Sequence, residues 1–139
     1  MEKLYSTSAV SVGGRDGHVK SADGIIDLDL KMPAAMGGKG GATTPEDLFA
    51  SGYSACYNSA LNMIARMKRI KTGEVSVKVS VSLVKFDDQT LNLEAEIEAR
   101  VPGVSQQVAQ ELADGAHEVC PYSRAIRGNV KTIITAIAE

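Results

Sequence analysis

Residues 74–101, EVSVKVSVSLVKFDDQTLNLEAEIEARV, constrain the fold more than any other stretch. Val75, Val77, Val79, Val81 and Leu83 alternate with polar or charged residues, a period of two that suits a strand and cannot make a helical stripe. DDQT turns the chain, and Leu91, Leu93, Ala95, Ile97 and Ala99 alternate again, now against acidic partners. The spacing predicts a long antiparallel hairpin with one face buried.

The remaining elements follow from shorter signals. LYSTSAVSV, residues 4–12, reads as a strand, and GGRDG places Arg15 at a tight turn. Ile26, Leu28, Leu30 and Met32 alternate with Asp27, Asp29 and Lys31, a strand with one wet face. The N-terminal third is therefore expected to be an antiparallel meander. MGGKGG lacks the spacing of a phosphate-binding loop and reads as a connector. TTPEDLF starts a helix, with Thr44 as cap, Pro45 in the first turn, and Glu46 and Asp47 at the positive end of the dipole. That helix is expected to reach Arg69 and to be largely buried, since it carries no charge between Asp47 and Arg66. Ser105 caps a second helix, and Pro121 predicts its break at Cys120. A short helical turn ending at Gly128 and a strand, VKTIITAIA, complete the chain. With no repeat and no βαβ rhythm, the expected class is α+β with antiparallel sheets.

There are two cysteines, Cys56 on the apolar helix face and Cys120 at the predicted break. Taken alone, Cys56 reads as packing, because free cysteine is among the most buried residue types. Cys120 stands beside Pro121 and is followed by Arg124 and Arg127, a setting that favours thiolate. A metal site drawing on His18, Cys56, His117 and Cys120 lacks an anchoring C-x-x-C or H-x-x-x-H pair. Each histidine reads as a surface or half-buried residue. From the residues alone, packing, staple, metal ligand and reactive thiol all remain open for Cys56. The net charge of −2, with both signs interleaved, excludes no class outright but offers no basic block for nucleic acid or an acidic membrane. MEKLYSTSAV lacks the basic flank and apolar run of a signal peptide, so a cytoplasmic location is expected.

TTPEDLFASGYSACYNSAL, GGRDG and EVCPYSRAIRGN together resemble the organic hydroperoxide resistance proteins, the Ohr branch of the OsmC/Ohr family. The resemblance covers nearly the whole chain, and the R-D-G turn and C-P-Y-S favour the Ohr branch over the OsmC branch. It implies a single OsmC/Ohr-like domain over residues 1–139. The implied fold is an intertwined homodimer, with antiparallel β-sheets wrapped around central helices and two active sites at the subunit interface. It implies Cys56 as peroxidatic cysteine, Cys120 as resolving cysteine, Arg15 as thiolate stabiliser and Glu46 as the group that orients Arg15. The implied substrate is an organic hydroperoxide, and the implied donor an external dithiol, a dihydrolipoyl group on a lipoylated enzyme, with no bound cofactor or metal. Thr44, Asp47, Arg124 and Ile126 depart from the family's commoner residues, at positions to which no catalytic role is carried over.

The implied chemistry has physical requirements. A buried cysteine is a poor thiolate, because desolvation raises its pKa. Arginine keeps its charge when buried and pairs bidentately with a carboxylate. Glu46 and Cys56 are ten residues apart, about 15 Å of helix. Either the helix breaks near Gly52, or Arg15 bridges the gap, or Glu46 serves Cys56 of the partner subunit, the arrangement preferred here. Met36, Phe49, Met63 and Tyr122 are expected to line an apolar pocket suited to alkyl and lipid hydroperoxides. Two other readings compete: an OsmC-type peroxidase with broader peroxide preference, and a binding module with inert thiols.

Overall fold

Tight glycine turns join the short strands that open the chain. The computed structural model describes residues Met1–Glu139, which form two compact units, Met1–Leu48 and Phe49–Glu139. In the N-terminal unit β1 (Ala9–Val12), β2 (His18–Ser21) and β3 (Asp27–Asp29) make an antiparallel meander in the order β1-β2-β3. β1 is shorter than the expected strand over residues 4–12, because its partner β2 ends at Ser21, opposite Ala9. Of the four alternating apolar residues Ile26, Leu28, Leu30 and Met32, only Leu30 is buried.

Leu30 sits on a ledge that joins two loops of this unit. Its backbone N–H donates to Gly17 O at 2.8 Å, and the Met32 N–H donates to Asp16 Oδ1 at 3.0 Å. On the other side Thr43 N–H donates to Asp29 O and Lys31 N–H to Thr43 O. The ledge thus ties the turn that carries Arg15 to the lead-in of α1.

α1 (Pro45–Met67) begins as the sequence requires. Thr44 Oγ1 accepts from Asp47 N–H at 3.1 Å, and the Asp47 carboxylate accepts from Thr44 N–H, a reciprocal cap. The helix runs unbroken through Gly52. Its buried face is Tyr53, Tyr57, Ala60, Leu61, Ile64 and Ala65, while Met63 and Met67 are exposed.

The hairpin of β4 (Ser76–Lys85) and β5 (Leu91–Val101) pairs over its whole length, from Ser76↔Arg100 to Lys85↔Leu91. Ala95, Ile97, Ala99 and Val101 point into the core. α2 (Gln106–Val119), capped by Ser105, buries Ala109, Leu112, Ala113 and Ala116 in the same core. α3 (Pro121–Ile126) follows at once, then β6 (Lys131–Ala138).

The second sheet, β4-β5-β6, corrects the expectation of wholly antiparallel sheets and of no βαβ unit. β6 pairs parallel to β5, from Glu94↔Lys131 to Val101↔Ala138. α2 and α3 lie between the two strands and carry the chain back to the starting end of β5, the crossover that a parallel pair needs. The periodicity of β6 was legible, but its direction depends on this return. α2 also covers the outer edge of β6: Gln106 Nε2 donates to Ala136 O at 2.7 Å and its Oε1 accepts from Ala138 N–H at 3.0 Å.

Leu112 is fully buried where α2 meets the core. Leu112→Ala is expected to lower stability by about 3 kcal/mol in chemical denaturation; a loss below about 1 kcal/mol contradicts this packing.

Candidate active site

Pro121 shapes the centre of the C-terminal unit. Cys120 ends α2, with its own N–H still donating to Ala116 O, and its ψ of 122° turns the chain out of the helix. Pro121 then opens α3, where its missing N–H is no loss. This corner points the Cys120 side chain at the middle of α1. Cys120 Sγ lies 3.4 Å from Cys56 Sγ, and both thiols are free. Cys120 is fully buried and Cys56 half-buried.

The surroundings of Cys56 set its acidity. Burial pushes its thiol above the ordinary value, the Tyr122 backbone N–H draws it back, and the neighbouring Cys120 thiol pushes it up again. Held this way the sulfur is a poor thiolate, and these three influences include no cation. The nearby arginines do not answer the need. Arg127 is turned to the end of α2, where Nη2 donates to His117 O at 2.6 Å and Nη1 stands 3.7 Å from Glu118. Arg124 is exposed.

Three aromatic rings cluster between α1 and the start of α3. The Phe49 and Tyr122 centroids are 6.5 Å apart, and Tyr53 stands 5.9 Å from each. Tyr122 packs directly on Gly52, where an added Cβ would lie 3.0 Å from its hydroxyl. Of the four residues named for an apolar pocket, Phe49 and Tyr122 thus come together. Met63 stays exposed on α1, and Met36 is an exposed residue of the N-terminal unit.

Arg15 and Glu46 meet within the N-terminal unit. Arg15 Nη1 donates to Glu46 Oε2 at 2.8 Å and Nη2 to Oε1 at 2.7 Å, a bidentate pair. The arginine follows Gly13 and Gly14, whose φ values of 81° and 58° belong to the left-handed region. Gly17 closes the turn so tightly that a Cβ there would fall 1.7 Å from Val12 O. The hydrogen bond from Arg15 holds the Glu46 carboxyl below the usual range, and the same bond raises Arg15 further. Beside the pair lies an open cavity of about 270 Å³, lined by Ser11, Gly14, Arg15, Val19, Leu30, Pro45 and Leu48. Sequence reasoning did not assemble this lining, which is drawn from four separate segments.

Neither histidine joins a metal cluster, since no three His, Cys, Asp or Glu side chains stand together as ligands. His18 bridges the carboxylates of Asp27 and Asp29, which raise its pKa, Asp29 most. His117 bonds Ser123, and Ser123 bonds Tyr53. Sequence reasoning missed Tyr53 and Ser123 as a linked pair; the S of C-P-Y-S was the available signal.

A family model described as OsmC-like protein matches residues 38–135. The organic hydroperoxide resistance protein-like 2 of Staphylococcus epidermidis is 43% identical over 98% of this chain and 97% of its own length. The organic hydroperoxide resistance protein of Xanthomonas axonopodis pv. citri is 40% identical over 95% of this chain and 94% of its own. The crystal structure of an organic hydroperoxide resistance protein from Elizabethkingia anophelis superposes with a TM-score of 0.95 at 42% identity, covering 100% of both chains.

The Glu46 carboxyl is depressed in the folded state, so its pair with Arg15 stabilises the protein above the unfolded carboxyl pKa, about 4.3, and that stability is lost as pH falls through the folded value. Glu46→Gln is expected to lower the urea midpoint at neutral pH, and the gap from wild type should close on acidification. A gap that is constant with pH contradicts the charge pair.

Proposed function

The chain belongs to the OsmC-like family, within its organic hydroperoxide resistance branch, and on that footing we propose that it is a cysteine peroxidase that reduces organic hydroperoxides to alcohols. The observation that carries this reading is the 3.4 Å approach of the two free sulfurs. A disulfide needs about 2.05 Å between sulfurs, so closure takes only a small movement. Inert packing thiols have no reason to meet across 64 residues of sequence at a helix break.

The proposed cycle begins with Cys56 as thiolate. It attacks the distal peroxide oxygen; the O–O bond breaks, an alkoxide leaves and takes a proton as the alcohol, and Cys56 becomes a sulfenic acid. Cys120 then attacks that sulfur, water leaves, and a Cys56–Cys120 disulfide forms. An external dithiol, proposed to be a dihydrolipoyl group on a lipoylated enzyme, reduces it by exchange. No bound cofactor is required.

The thiolate needs a cation that Tyr122 N–H alone does not replace. Arg15 is the proposed source, with Glu46 holding its guanidinium in a fixed plane. Because α1 is unbroken, about 15 Å of helix separates Glu46 from Cys56. We therefore propose that the pair serves Cys56 of the partner subunit, in a homodimer whose sites lie at the interface. The apolar side chains of Val19, Leu30 and Leu48 beside Arg15, with the paired rings of Phe49 and Tyr122, suit an alkyl or lipid chain better than hydrogen peroxide. Met36 and Met63 remain proposed pocket residues. No helix is long and apolar enough to cross a membrane, and the cytoplasm is the proposed location, with the whole chain acting as one domain.

Peroxide consumption coupled to dihydrolipoamide tests the reading. The wild type is expected to turn over tert-butyl hydroperoxide faster than hydrogen peroxide, and Cys56→Ser to fall to background. Full activity in Cys56→Ser contradicts the mechanism, and equal rates on the two peroxides point instead to an OsmC-type preference.

A further inference from the structure

A chain of hydrogen-bonding groups, buried at Tyr53 and Ser123 and half-buried at His117, borders the sulfur pair, and no step of the proposed cycle uses it. Ser123 is fully buried. Its Oγ lies 2.6 Å from the Tyr53 hydroxyl and 2.9 Å from His117 Nδ1. Each member stands three residues, close to one helical turn, from a sulfur. Tyr53 precedes Cys56 on α1, His117 precedes Cys120 on α2, and Ser123 follows Cys120 on α3. The chain therefore ties three helices together at the points that set the distance between the sulfurs.

Its hydrogens have a preferred order. A serine hydroxyl has one hydrogen to give and lone pairs to accept with. When His117 carries no proton on Nδ1, Tyr53 donates to Ser123 and Ser123 donates to His117, and every hydrogen is used. A proton on Nδ1 makes His117 the donor to Ser123; the Tyr53–Ser123 contact then uses only one of its two hydroxyl hydrogens, and the other loses its acceptor. The charged groups acting on His117 are Arg127 beyond α3, whose guanidinium also bonds the His117 carbonyl, and Glu118 and Asp114 on α2. Burial, then Arg127, lower its pKa, against the smaller opposing pull of the two carboxylates.

We propose that Tyr53, Ser123 and His117 are positioning residues for disulfide closure: with His117 neutral they hold Cys120 against Cys56, and protonation of His117 leaves one buried hydroxyl hydrogen without an acceptor and slows closure. The proposal rests on the peroxidase reading. In the step concerned the Cys120 sulfur attacks the sulfenic sulfur of Cys56, the S–S bond forms as the S–O bond breaks, and the departing hydroxide leaves as water with the Cys120 proton.

Single-turnover closure tests it. Reduced protein receives one equivalent of tert-butyl hydroperoxide across about pH 5 to 8, the range in which histidine titrates. Sulfenic acid is trapped with dimedone, and disulfide is followed by quenched thiol counts. Wild-type closure should fall on the acid side, below the ordinary histidine range. Ser123→Ala should close about tenfold more slowly and yield more dimedone adduct. Tyr53→Phe, which removes only the hydroxyl, should do the same and serves if Ser123→Ala fails to fold. His117→Ala should be slow at every pH. His117→Asn, whose amide oxygen accepts in place of Nδ1 but gains no proton, should recover the rate and lose the acid fall-off. A wild type that forms sulfenic acid, beside variants that close at its rate and with its pH profile, overturns the proposal and leaves the peroxidase standing. A wild type whose Cys56 ignores the peroxide overturns both.

Discussion

The approach of Cys120 to Cys56, sulfur to sulfur at 3.4 Å, is the contact around which the C-terminal unit is arranged. It exists because Pro121 cannot continue α2. The helix stops one residue earlier, Cys120 turns inward, and α3 restarts with Tyr122 as the first residue that still has an N–H to give. α1 answers with an uninterrupted helix whose middle turn carries Cys56. The buried hydroxyl of Tyr57, bonded to Ala113 O, pins α1 to α2 two helical turns from that corner. The hairpin and β6 supply the apolar surface on which both helices rest.

The same burial that protects the sulfur pair opposes its chemistry. A thiol in apolar surroundings resists ionisation, and Cys56 is shifted in that direction. The charge proposed to answer it belongs to the N-terminal unit, where Arg15 is held by two hydrogen bonds to Glu46 on a turn too tight for any residue but glycine at position 17. Charge and sulfur are thus built on different scaffolds. In the proposed enzyme their meeting makes the site, so a thiolate forms only where the two are assembled.

Much of this was legible in the sequence, for identifiable reasons. Alternation over Val75–Val101 marks both strands of the hairpin, Thr44 and Ser105 mark two helix starts, and Pro121 marks the break at Cys120. These signals are local. What escaped depends on distant partners. β6 shows its apolar period but not its direction, which follows from the α2–α3 return. Helical spacing alone does not say which arc of α1 is covered: Met63 and Met67 stay exposed, while Tyr57 and Ile64 are buried against Ala113 and Gly115 of α2. The bond between Tyr53 and Ser123 joins residues 70 positions apart, and no spacing rule reaches that far. The cavity beside Arg15 has the same character, since its walls come from segments that the sequence does not link.

The pairing of the two sulfurs is tested most directly by mapping the protein after stoichiometric oxidation. Peptide mass spectrometry under non-reducing conditions, following one equivalent of an organic hydroperoxide, should find Cys56 joined to Cys120 within a single chain and neither thiol left free. Oxidised protein with both cysteines free, or with Cys56 joined only to a second chain, would contradict the account.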